Sequence, residues 1–150
     1  MSEKSEKAKE LFKRGFNCSQ AVVGAFADDL GMDEETLLKL SSSFGGGMGR
    51  LREVCGAVSG MFMVAGIKYG YSSPDAKEEK SKHYARIQEL AKSFTEENGS
   101  IICRELLGTE GKSESHVPSD RTDKYYKTRP CADLVADAAR ILEEYIKTHG

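Results

Sequence analysis

Pro130-Cys131-Ala132-Asp133-Leu134-Val135-Ala136-Asp137-Ala138-Ala139-Arg140-Ile141-Leu142-Glu143-Glu144-Tyr145 is the stretch that decides the fold class. Cys131, Leu134, Val135, Ala138, Ala139, Leu142 and Tyr145 recur at i, i+3, i+4, i+7, i+8, i+11 and i+14, the period of one buried helix face, and Pro130 suits the helix start. The same spacing runs upstream. Ala8, Leu11 and Phe12 start it, and Cys18, Ala21, Val22, Ala25, Phe26 and Leu30 continue it on a second helix. Gly31 is a stop signal and Asp33 a fresh N-cap, after which Leu37, Leu38, Leu40 and Phe44 predict a short third helix.

A mostly buried helix is expected over 53–69. The next is announced by Ser73-Pro74-Asp75 and carries Tyr84, Ile87, Leu90, Ala91 and Phe94 on one stripe, opposite a solvated face of Lys77, Glu78, Glu79, Lys80 and Lys82. Asn98-Gly99-Ser100 breaks that pattern before a short helix over 101–107. No segment alternates like a strand. The expectation is an all-α fold, a single domain over 1–150, built as a bundle of about six helices with a long polar loop, 108–129, before the last. A loop of that length is unusual. It is expected to wrap the surface, to be partly disordered, or to contact another subunit in a homodimer, with Tyr125 and Tyr126 as anchors.

Composition narrows the function. A chain of 150 residues buries roughly 70% of its unfolded surface, so it needs no staples. Lys plus Arg number 22 against 24 Asp plus Glu, which leaves no basic excess for nucleic acid. Residues 1–11 lack the apolar core of a secretory signal, and the most apolar stretch, 54–67, falls short of a bilayer span, so a cytoplasmic protein without membrane insertion is expected.

Four cysteines remain to be explained. Cys18, Cys55, Cys103 and Cys131 are separated by 37, 48 and 28 residues, so no Cys-x-x-Cys pair exists. Each instead falls within the first turn or so of a different expected helix. Unpaired N–H groups and the partial positive charge there stabilise a thiolate, which is both nucleophile and metal ligand. If the helix starts converge, the four thiols form one redox or metal centre: an iron–sulfur cluster, a zinc site, or a dithiol–disulfide couple. The plain alternative is four buried core residues.

Other features carry weaker signals. Gly45-Gly46-Gly47-Met48-Gly49-Arg50 could cradle an anion on backbone N–H groups, but the missing strand and Gly-Lys-Ser/Thr ending make it a weak nucleotide signal, and no nucleotide is expected. Gly47, Gly49 and Gly56 are expected to bring backbone close to whatever Cys55 binds, with Arg50 and Arg52 adding charge beside the thiols. The plain alternative for the loop is a flexible connection. His83, His116 and His149 are isolated and read as surface residues. Met48, Met61 and Met63 read as core, with a soft Cu(I) ligand role as the minor alternative.

Phe16-Asn17-Cys18-Ser19-Gln20-Ala21-Val22, the glycine loop leading to Cys55-Gly56-Ala57-Val58-Ser59-Gly60, then Cys103-Arg104-Glu105-Leu106-Leu107-Gly108, and Cys131 together resemble the C_GCAxxG_C_C family of redox-active proteins over essentially the whole chain. The family name spells Gly-Cys-Ala where this chain has Cys55-Gly56-Ala57. The resemblance implies a small helical protein whose hallmark cysteines, here Cys18, Cys55, Cys103 and Cys131, serve electron transfer or metal handling. A similar region occurs in certain multi-haem cytochromes, but without Cys-x-x-Cys-His no covalent haem is expected.

The expectation is therefore a redox or electron-transfer protein with a redox partner protein, its cysteines holding an iron–sulfur centre or cycling between thiol and disulfide. A non-redox zinc carrier is the alternative. No acid–base constellation assigns an enzymatic reaction.

Overall fold

The central pair of helices is apolar almost all round, which places it inside and sets the remaining helices about it. The structure is a computed structural model that describes residues 2–108 and 115–150. Its right-handed helices are α1 (Glu3–Lys13), α2 (Cys18–Ala25), α3 (Glu34–Ser41), α4 (Gly56–Tyr69), α5 (Lys77–Asn98), α6 (Cys103–Leu107), α7 (Asp123–Thr128) and α8 (Cys131–His149). Among the described residues the only β-type pairing is one antiparallel bridge, Val54 to Ile102, so the all-α single-domain reading holds.

α2 and α4 pack on each other and bury Ala21, Val22, Val23, Ala25, Ala57, Val58, Met61, Val64 and Ala65. α8 lies against α1, α2 and α4, burying Leu134, Val135, Ala138, Ala139 and Leu142 of the expected stripe. α1 is opened by Ser2, whose side chain accepts from the Ser5 N–H, and it contributes Ala8 and Phe12 to the core. α5 is the outer helix: Leu90 and Phe94 face α4 and α8, and the Lys/Glu face is solvated.

Several boundaries differ from expectation for local reasons. α2 ends at Ala25 and gives way to a 3-10 turn, Ala27–Asp29. α4 begins at Gly56 rather than at residue 53, because Val54 is taken up in the bridge to Ile102. α5 starts at Lys77, beyond Pro74. The polar stretch before the last helix contains a helix of its own, α7, so there are more helices than the six expected. Its described part wraps the chain's own surface; 109–114 lie outside the described residues. His83 is buried, against expectation, because Tyr71 from the preceding turn covers its ring at 6.4 Å.

Candidate functional site

Cys18 is the first residue of α2. Asn17 and Gln20 fix that start reciprocally: the Gln20 N–H donates to Asn17 Oδ1 at 2.9 Å and the Asn17 N–H donates to Gln20 Oε1 at 3.1 Å. Asn17 Nδ2 also donates to Ser42 O, tying the helix start to the segment before the glycine loop.

Cys55 and Cys103 are clamped together by the bridge. The Cys55 N–H donates to Ile101 O at 2.8 Å and the Cys103 N–H donates to Glu53 O at 2.6 Å. Cys55 is the N-cap residue of α4, and the Ala57 and Val58 N–H groups lie near its sulfur without closing a side-chain cap. Cys103 and Cys131 open α6 and α8. All four cysteines thus sit at helix starts.

Between α3 and α4 the chain turns the wrong way for L-residues. Gly46, Gly47, Met48, Gly49 and Arg50 all have φ between 62° and 69°, which makes a left-handed turn, and Arg52 follows at 61°. Such a conformation costs about 1–2 kcal/mol for each non-glycine residue. Here it brings backbone against sulfur-bearing residues. A Cβ on Gly47 would lie 2.6 Å from Cys103 Cβ and 2.9 Å from Arg52 Cα. A Cβ on Gly56 would lie 2.6 Å from Cys18 Sγ.

The result is a cavity of about 250 Å³ whose wall includes Cys18, Cys55, Cys103 and Cys131. A single water needs only about 10–15 Å³ by this kind of measure, so the space admits a group far larger than one ion. All four thiols are free. Among the described residues, no group of three Cys, His, Asp or Glu side chains is placed to hold a metal ion.

Burial reverses the expected effect of the helix starts on the thiols. Desolvation pushes Cys55 well above the usual thiol range, against the two N–H groups that favour its charged form. Cys103 is raised by burial in spite of Arg52, whose Nη1 donates to its sulfur at 3.5 Å. Cys131 is pushed up to about 11, again chiefly by burial, and the neighbouring Cys18 and Cys103 add to the rise. Burial thus favours the neutral form of all three thiols.

Gly49 and Gly56 lie on the cavity wall, as do Gly45 and Gly46; Gly47 stands behind it, against Cys103. Arg50 and Arg52 line it too. His116, exposed, is also on the wall, while His83 and His149 are not, and no methionine is. Sequence reasoning missed Arg121 and Arg129, and took Tyr125 only as a loop anchor; all three are on the wall. Arg129 stands two residues before Cys131, a signal within reach; Arg121 gives none, since its place depends on how the chain returns across α1.

One comparison bears directly on this arrangement. A family model described as "Putative redox-active protein (C_GCAxxG_C_C)" matches residues 16–145, a span that includes all four cysteines. The chain belongs to the C_GCAxxG_C_C family. No curated protein and no solved structure matches it. In this C_GCAxxG_C_C chain the cysteine elements scattered along the sequence meet on one wall. No described helix is long and apolar enough to cross a membrane.

Proposed function

We propose that this C_GCAxxG_C_C protein is a cytoplasmic electron-transfer protein whose four cysteines hold one iron–sulfur cluster. The observation that carries the reading is the single cavity shared by all four thiols, each delivered by a different helix start. A mononuclear zinc site would need the sulfurs drawn onto one point, with bonds of about 2.3 Å, whereas a cluster offers separate irons to separate thiolates and occupies the volume between them. Cys18, Cys55, Cys103 and Cys131 would hold it, and it would supply one-electron uptake and release.

The chain's own part is to place, shield and tune. Cys55 and Cys103 are buried, which excludes water from half of the ligand set. The Arg52 guanidinium donates to Cys103, while the Ala57 and Val58 N–H groups and the Tyr125 hydroxyl stand where they favour the charged forms of Cys55 and Cys131. Donors of this kind stabilise negative charge on sulfur and raise a centre's potential. Electrons would come from a partner redox protein.

The test is anaerobic preparation or reconstitution with ferrous iron and sulfide, followed by iron and sulfide analysis and visible spectroscopy. More than one iron per chain, with colour that bleaches reversibly on reduction and is lost in each Cys→Ser variant, is the expected result. A colourless, iron-free chain overturns the cluster. A fall in free-thiol count after mild oxidation would then support the second reading, thiol–disulfide cycling, for which the four free thiols on one wall are the observation. A colourless chain retaining zinc would support the carrier.

A further inference from the structure

We infer that the same cavity takes a small oxygen-bearing anion beside the thiols, held by Arg121 and Arg129. The inference deepens the proposed function, on which it rests, by naming the chemical class of the molecule that meets the redox centre. Four arginines line the cavity, and among the described residues no Asp or Glu does.

Arg121 and Arg129 differ from an ordinary surface pair in what they touch. Arg121 Nη1 donates to Phe12 O at 2.9 Å and Nη2 to Phe16 O at 3.1 Å, while its guanidinium lies 4.1 Å from the Phe12 ring centre. Arg129 lies over the Tyr125 ring at 5.6 Å. Neither forms an ion pair with a carboxylate among the described residues. Carbonyls and rings orient a guanidinium without supplying a counter-charge, and both side chains are half-buried, where water screens charge less than at an open surface.

The Arg129 fork matches the paired oxygens of an oxyanion, and Arg121, whose two Nη atoms each already donate to a carbonyl, offers its remaining N–H groups. Ser119 adds a donor: its oxygen accepts from Arg50 Nη1 at 3.1 Å, which leaves its own proton to give. The wall that carries these groups is continuous with the one that carries the thiols. An anion held there stands next to the redox centre rather than at a remote patch.

The test is calorimetric titration of the full chain with inorganic phosphate, on metal-free reduced protein and on iron-loaded protein. Expected is one saturable site in both forms, weakened at least about tenfold in Arg129→Gln and in Arg121→Gln. Urea unfolding checks that each variant is folded; should Arg121→Gln unfold, Arg129→Gln carries the test alone. No saturable binding, or equal binding in a folded arginine variant, overturns the inference. So does binding that vanishes on iron loading, since the arginines would then only balance a cluster's charge. Arginine-dependent binding in a chain that takes up no iron and has inert thiols would uphold the anion site while removing the proposed function. Iron uptake without phosphate binding would do the reverse.

Discussion

Gly56 lies against the sulfur of Cys18, so close that a methyl group on its α-carbon would sit 2.6 Å from Cys18 Sγ and 2.9 Å from Phe44 O. Nothing larger than hydrogen fits there. Gly56→Ala is expected to cost about 1–3 kcal/mol in urea unfolding, as overpacked sites do, and to lower iron uptake by displacing Cys18. Gly66→Ala, on the same helix with nothing within 4 Å, should instead stabilise by about 0.5–1 kcal/mol. Equal stability for the two variants would remove the close-approach argument.

The left-handed turn yields a second contrast. Gly47→Ala adds a side chain at φ +68° and drives it into Cys103 and Arg52, so it should lose upwards of about 2 kcal/mol. Met48→Gly relieves strain at the same φ without touching those neighbours, and is expected to be neutral or stabilising by up to about 1 kcal/mol. Thermal melts of the pair decide it.

Arg121 fastens the segment that closes the cavity to the end of α1. Arg121→Ala removes both hydrogen bonds to the Phe12 and Phe16 carbonyls, and bonds to a charged donor contribute about 1.5–3 kcal/mol each. Proteolysis and amide exchange over 115–122 should accelerate, with α4 and α8 protected as before. Tyr126→Phe, which loses one 3.3 Å bond to Lys13 O, should have a much smaller effect.

Much of this arrangement is legible in the residues. The apolar stripe of α8 and the unbroken apolar face of α2 announce their helices, because burial of a face leaves a period of 3.6 in the chain. The four cysteines announce a shared site, because all stand at helix starts. What periodicity cannot express is where the return segment lies. Arg121 reaches carbonyls 105 and 109 residues away. The upward shift of the thiols also escaped, since a helix start is visible locally while desolvation depends on everything packed around it. His83 looked exposed for the same reason: Tyr71, which covers it, belongs to the turn before its helix.

Stability should depend on pH through His83. Burial, reinforced by the adjacent Arg86, lowers its pKa below the ordinary 6.5, and Arg86 Nη1 lies 3.0 Å from His83 Nδ1. The groups around it are Arg86, the Tyr71 ring and, from α8, the Tyr145 hydroxyl that accepts from Arg86 Nε; Lys80 lies over Tyr71. As pH falls below 6.5 the unfolded chain takes up a proton that the folded chain refuses, so stability drops until the folded pKa is passed. Above 6.5 His83 contributes no slope. Urea midpoints from pH 7 down to pH 5 should fall less steeply in His83→Gln than in the parent.

The bridge between Val54 and Ile102, the cap at Asn17 and the start of α8 contribute their cysteines from positions 18, 55, 103 and 131. Contacts that distant in sequence can close only after the intervening chain has been ordered, and their loop-closure entropy must be met first. The centre is therefore a property of the finished fold. No fragment emerging early from synthesis contains all four cysteines, so under the proposed function a metal delivered to this chain would find its ligand set only once α8 has docked, and a half-made chain would offer nothing to load.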